Sequence, residues 1–313
     1  MTRPLAKPPA VTPDSGIAIV STSSPVPADD LERLVAYFAK RGHQVKVMPH
    51  TAASTGYLAG TAADRAADLM AAFTDPDIAL IMPATGGKGG AHLLPLLDYQ
   101  VIAANPKVFS GLSDPSIIAN AITTRAGLAT LHGPTGYDFS RPQVNTYTED
   151  GFWRIASAPV TGTTVPGPDW RVLRGAGTTV AGPVVGGHLG TVRALTGTAW
   201  MPDLDGAVLV LEEVFVPWVQ VDAALTHLRL AGVFDRIAAL VVGVPIDCAP
   251  DDAPDAGWDE LILRCVQGRC PVVTNAEFGH TERKFPLPIG LRVELDLAAS
   301  TPALHYLEDL VTL

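Results

Sequence analysis

A serine at a strand-to-helix turn, a carboxylate at a strand end and a histidine in a glycine-flanked loop are the residue types that together perform acyl-transfer chemistry. In Phe109-Ser110-Gly111-Leu112-Ser113-Asp114-Pro115 an apolar, strand-like stretch runs into a helix start and leaves the Ser113 hydroxyl at the turn. A serine there stands clear of its neighbours, with the following amide N–H groups and the positive end of the helix dipole turned toward any charge that develops beside it. Ser-Asp-Pro is equally a helix N-terminus, with Ser113 or Asp114 as the cap and Pro115 in the first turn. Local sequence leaves both readings open, and residue frequency alone favours the cap.

Glu212 follows Ala207-Val208-Leu209-Val210-Leu211, an apolar run that carries it to the rim of a sheet, where an orienting acid sits. Its neighbour Glu213 reads as a solvated loop charge. His280 lies in Asn275-Ala276-Glu277-Phe278-Gly279-His280-Thr281, after the strand-like Val272-Val273-Thr274. His43, His50, His227 and His305 occupy positions typical of packed or surface histidines, whereas His132 and His188 lie in glycine-bounded loops and are second candidates. The loop Ala84-Thr85-Gly86-Gly87-Lys88-Gly89-Gly90 lacks the spacing of nucleotide-phosphate motifs; its paired glycines suit an N–H aimed at an oxyanion. No HExxH and no tight His/Asp/Glu cluster points to a metal.

Alternating strands and helices must position these groups. Strands are predicted at 17–20, 44–48, 78–82 and 107–110, and helices at 27–41, 62–73 and 115–124. That alternation indicates an α/β fold with a mostly parallel sheet covered on both faces and ligands beyond the strand C-termini, where the glycine-rich loop and Ser113 both fall. A chain of 313 residues is expected to form two domains. Residues 1–15 read as a flexible lead-in, 16–139 as the domain bearing Ser113, 140–179 as a linker or long loop rich in Pro, Gly and Thr, and 180–313 as a mixed α/β domain carrying Glu212 and His280. In that second unit strands are predicted at 207–211, 237–242 and 291–297, and helices at 222–231 and 258–267.

The net charge of -10, without a Lys/Arg-rich stripe, argues against nucleic acid or an anionic membrane as partner and leaves small molecules or peptides. Cys248, Cys265 and Cys270, three in number and without CxxC spacing, support neither a disulfide framework nor a zinc site. No apolar run has the length of a signal peptide or of a membrane helix, so the cytoplasm is the expected location.

These residues resemble the serine LD-carboxypeptidases, a family that includes the microcin C self-immunity peptidases. The resemblance runs from about residue 16 to 297. It includes Tyr57-Leu58-Ala59-Gly60, Gly86-Gly87, Gly111-Leu112-Ser113-Asp114, His132-Gly133-Pro134, Gly186-Gly187, Leu211-Glu212-Glu213 and Phe278-Gly279-His280, in the family's order and spacing. It implies a Rossmann-like or flavodoxin-like N-terminal domain, a C-terminal domain of swivelling β/β/α type, and a site in the cleft between them. It further implies Ser113 as nucleophile, His280 as base and Glu212 as its acid partner. The N–H groups of Asp114 and of Gly86 or Gly87 would form the oxyanion hole. A homodimer, no metal and no organic cofactor are implied.

The family's usual reaction is release of D-alanine from a muropeptide tetrapeptide. Many cell-wall members read Arg-Gly-Gly-Tyr-Gly where this chain has Thr85-Gly86-Gly87-Lys88-Gly89, and His188 stands where the family often has Asn. Lys88, His188 and Trp170 are therefore candidate substrate contacts. Two other readings stay open: an immunity-type peptidase acting on a peptide-nucleotide or another specialised amide, and an idle peptide-binding protein.

Overall fold

The computed structural model describes residues 5–250, 257–268 and 270–313. Four parallel strands form the first sheet in the order β2-β1-β3-β4, with β1 Gly16–Val20, β2 Gln44–Val47, β3 Ile78–Pro83 and β4 Val108–Phe109. β1 is buried throughout, as an unbroken apolar strand covered on both faces must be. The helix Ala28–Lys40 turns Leu34 and Phe38 inward, one turn apart, and places Asp29 and Asp30 at its positive end and Lys40 at its negative end. The predicted helices at 62–73 and 115–124 are observed at Ala62–Thr74 and Ser116–Ala126.

The second sheet runs β6-β14-β13-β8-β9-β10-β11-β7. Its members are β6 Thr164–Pro166, β7 Arg171–Arg174, β8 Thr179–His188, β9 Val208–Glu212, β10 Ala239–Gly243, β11 Val272–Ala276, β13 Arg292–Asp296 and β14 Ala303–Tyr306. β8, β9, β10 and β11 are mutually parallel, so His188, Glu212, Gly243 and Ala276 all lie at one edge of the sheet. Within that edge His188 is the register partner of Glu212.

β5 (Thr130–His132) and β12 (Leu287–Ile289) join the two sheets. β5 pairs antiparallel with β12, β12 pairs parallel with β8, and a bridge from Ser110 to Leu131 ties β5 to the end of β4. The helix Ser116–Ala126 is buried on all sides from Ser116 to Thr123 because it lies between the halves. Asn120 fastens it there: its amide donates to the carbonyls of Ser116 (2.8 Å) and Gly186 (2.7 Å), and its oxygen accepts from the Gly186 N–H (3.1 Å).

Two expectations about irregular segments are corrected. The stretch 140–179 is not a linker: it holds the helix Thr146–Ser157, β6 and β7, and buries Phe152, Trp153, Ile155, Val165 and Trp170 in the largest core cluster. Trp153 donates to the Tyr37 hydroxyl (2.8 Å), which donates to Glu149 (2.7 Å), so the helix is fixed on the N-terminal half. The described part of the lead-in is ordered as well, with Ala6 bridged to Leu128, Pro9 bridged to Thr312 and Val11 buried. In both, small and turn-forming residues dominate the composition while a few apolar side chains supply the burial. The helix expected at 222–231 begins earlier and runs Trp218–Leu230, starting directly after Pro217.

Asn120→Ala leaves the Gly186 N–H and C=O buried without partners. It is expected to lower unfolding stability by about 2–4 kcal/mol, read from urea denaturation.

Candidate active site

The Ser113 backbone adopts φ 62°, a left-handed conformation that costs a non-glycine residue roughly 1 kcal/mol. Its carbonyl is pinned by the Ser116 N–H (3.0 Å) and the Ser116 hydroxyl (2.7 Å), which hold the turn in this shape. The helix that follows is capped by Pro115, without a side-chain cap bond, so neither Ser113 nor Asp114 spends its side chain on capping. Asp114 instead accepts from the Ser23 hydroxyl (2.6 Å) and the Gly90 N–H (2.6 Å), which anchors the glycine-rich loop to the serine turn. Burial raises the Asp114 pKa, against the lowering effect of those two bonds and of the charges of His188 and Arg65.

Gly86 packs directly on the serine: a Cβ there would lie 2.9 Å from the Ser113 Cβ, so no other residue fits without a shift. The N–H groups of Gly87 and Asp114 donate to no acceptor among the described residues. Lys88 is exposed in the same loop, and its N–H donates to the Ser24 hydroxyl (3.2 Å). Arg65, buried in the helix Ala62–Thr74, braces the loop from behind by donating to the carbonyls of Thr22 (2.6 Å) and Gly89 (3.0 Å).

Across the cleft, Glu212 ends β9 and is 2% exposed. Its Oε2 accepts from His280 Nδ1 at 2.6 Å, which fixes the imidazole tautomer and leaves Nε2 as the nitrogen available for proton transfer. Gly279, at φ 83°, permits the approach, since a Cβ there would lie 2.5 Å from the Glu212 Cγ. Burial by itself raises the Glu212 pKa, but the positive fields and hydrogen bond of His280, with His188 and His132 adding theirs, hold it down to about 2.

Glu213, expected as a solvated charge, is instead 8% exposed and paired with His188 Nε2 at 2.7 Å. Two His–Glu pairs therefore stand side by side, with the His188 and His280 ring centres 5.9 Å apart. Burial disfavours a charge on His188, but the Glu213 bond and the fields of Glu212, Glu213 and Asp114 outweigh it and raise its pKa. Leu112, the neighbour of Ser113, and His280 line one open cleft, so the serine turn and the histidine loop border the same space. Trp170, a candidate substrate contact in the sequence, is buried to 6% exposure and stacked on Phe285 in the core. Among the described residues no group of three or more His, Cys, Asp or Glu is arranged to hold a metal, and no helix is long and apolar enough to cross a membrane.

Residues 17–133 match the LD-carboxypeptidase N-terminal domain and residues 181–295 the LD-carboxypeptidase C-terminal domain. A relative from Streptomyces coelicolor is 33% identical, over 96% of this chain and 96% of its own. The chain belongs to the LD-carboxypeptidase family. It is accordingly a peptidase, and its two-domain α/β architecture is that of the family. The Microcin C7 self-immunity protein of Escherichia coli is 28% identical over 94% of this chain and 93% of its own. A crystal structure of muramoyltetrapeptide carboxypeptidase from Oxalobacter formigenes superposes with a TM-score of 0.84, at 28% identity, covering 95% of this chain and all of that one.

His132, which sequence alone ranked second, lies beside Glu212 and the two other site histidines, 1% exposed, with neither ring nitrogen hydrogen-bonded among the described residues. Burial pushes its pKa down to about 4; Glu212 opposes this, and His280 and His188 reinforce it. Because the folded value lies below the unfolded one, the unfolded chain binds the extra proton first. The contribution is fully present above about pH 6.5 and is lost as pH falls toward 4, where the difference amounts to about 3 kcal/mol. Unfolding stability measured between pH 7 and 4 is expected to fall less steeply in His132→Leu than in the wild type.

Proposed function

We propose that this peptidase is a serine carboxypeptidase that cleaves an L,D-peptide bond beside a free C-terminus, releasing D-alanine from a muropeptide tetrapeptide through an acyl-enzyme. The observation that carries the reading is the 2.6 Å bond from His280 to a fully buried Glu212, in a cleft shared with the turn that bears Ser113. His280 Nε2 takes the proton from the Ser113 hydroxyl as its oxygen attacks the scissile carbonyl. Glu212 holds the ring and stabilises the imidazolium that forms. The carbonyl oxygen becomes an oxyanion, and the N–H groups of Asp114 and of Gly86 or Gly87 meet it, each donor contributing roughly 3 kcal/mol to the transition state. Collapse of the tetrahedral intermediate breaks the C–N bond, and His280 returns its proton to the departing amine. Water, deprotonated by His280, then attacks the Ser113 ester and frees the shortened peptide.

Support for the substrate comes from the relatives: one solved structure of this fold is a muramoyltetrapeptide carboxypeptidase. The similarity to the Microcin C7 self-immunity protein favours the second reading, a peptidase acting on a peptide-nucleotide or another specialised amide. The deciding assay compares D-alanine release from a muropeptide tetrapeptide with cleavage of an aminoacyl-sulfamoyl-adenosine. Release of D-alanine is expected, and turnover of the second compound alone would replace the muropeptide reading.

Ser113→Ala is expected to abolish turnover while the chain still folds, and failure of an active-site serine probe to label the native protein would favour an idle binding protein. Ser113→Gly is expected to be equally inactive yet about 1 kcal/mol more stable than Ser113→Ala, because only glycine relieves the left-handed turn. Glu212→Gln, which removes the charge and disturbs the histidine tautomer, is expected to lower kcat by about 10³–10⁴.

A further inference from the structure

The proposed chemistry uses one of the two His–Glu pairs and leaves His188 with Glu213 without a task. His188 Nε2 meets a Glu213 oxygen at 2.7 Å, and the same oxygen accepts from the Val214 N–H (3.0 Å), so the acid is fixed as well as buried. The His188 carbonyl accepts from the Thr191 hydroxyl (2.7 Å), and Gly190 leaves room for the ring, since a Cβ there would lie 2.9 Å from His188 Cε1. The imidazole is thereby held against that of His280, with ring centres 5.9 Å apart and planes at 67°.

Charged and titratable groups face His188 from each element around it. Glu212 and Glu213 stand at the end of β9, Asp114 in the serine turn, His280 in the loop after β11 and His132 at the end of β5. Behind them, the Cys248 thiol lies in the fields of Glu213, Glu212 and Asp247, and Lys284, paired with Asp138, acts on His132. Burial opposes a charge on His188, but the Glu213 bond and the fields of the three nearest carboxylates prevail and raise its pKa. Its Nδ1 is buried without a hydrogen-bond partner among the described residues, so a proton there is held by those fields alone. His132, with its pKa pushed down to about 4, adds no competing positive charge near neutral pH.

Two protons this close repel. Across 5.9 Å, one elementary charge on His188 makes His280 harder to protonate by roughly 0.5–2 pH units, for effective dielectric constants of about 80 down to 20. A general base must be neutral to act, so a charge on His188 keeps His280 competent at lower pH.

We propose that the His188–Glu213 pair holds an imidazolium beside His280 and thereby sets the pH above which His280 can act as the base. This rests on the peptidase reading above. His188 touches no reacting atom in this role; it acts through His280. The acidic limb of kcat/KM against pH reports the free enzyme and reads the effect directly. His188→Asn, neutral at every pH, is expected to move that limb upward by roughly one pH unit. His188→Lys, which keeps a cation opposite Glu213, is expected to hold it near the wild-type position. A role in packing alone lowers kcat/KM equally across the pH range. A limb that stays in place in His188→Asn, or moves as far in His188→Lys, overturns the proposal.

Titration of the histidine Cε1–H NMR signals in the unsubstituted protein needs neither turnover nor a variant that folds. His188 is expected to keep its proton to higher pH than His280, and the reverse order overturns the proposal. The expected order without hydrolysis of any peptide leaves the charge reading standing and overturns the peptidase one; hydrolysis with an unmoved limb does the reverse.

Discussion

The site depends on a carboxylate that has been taken out of water. Glu212 is fully enclosed at the end of β9, and an ion in that position is tolerated only if opposite charge and hydrogen bonds replace its hydration. His280 supplies both at 2.6 Å, and the neighbouring histidines add positive potential. Much of the surrounding chain serves this one pairing. β8, β9, β10 and β11 are parallel, which gathers their C-terminal ends at one edge, and Gly243 and Gly279 leave room that any side chain would fill. The carboxylate, in return, dictates which ring nitrogen carries the proton, and from that follows what the histidine can do.

The serine side is organised by a different means. Strain and hydrogen bonds shape the turn. A left-handed serine is kept because Ser116 grips its carbonyl and the helix behind it is locked between the two halves by Asn120. Asp114 then ties turn to loop through Ser23 and Gly90. Rigid support of this kind is what allows backbone N–H groups to be aimed at a developing charge without reorganisation.

Strands with continuous apolar character were legible in the sequence because their burial on both faces needs no partner information. The run Ala207 to Leu211 and the run Ile78 to Met82 are examples. Glu212 and His280 were also singled out by their strand-end and loop contexts joined to the family's motif order, and the structure brings these two together. What stayed hidden were features settled by tertiary neighbours. Glu213 looks solvated until β8 places His188 against it, and Trp170 looks available until Phe285 covers it. The run Ser21-Thr22-Ser23-Ser24 gives the one local hint of the loop that supports Asp114, since four small hydroxyl residues directly after a buried strand have backbone and side chains that must bond somewhere. Segment 140–179 misled because Pro, Gly and Thr dominate its composition while four or five large apolar residues decide its structure.

β5 gives the molecule its mechanical character. It belongs in sequence to the N-terminal half, yet it pairs with β12 and, through the bridge at Ser110, adjoins β4, so hydrogen bonding runs unbroken from one sheet to the other. Halves joined in this way cannot open like a hinge without breaking strand pairing. The turn that bears Ser113 and the loop that bears His280 are thus tied, each through its own sheet, to one continuous set of strand pairings.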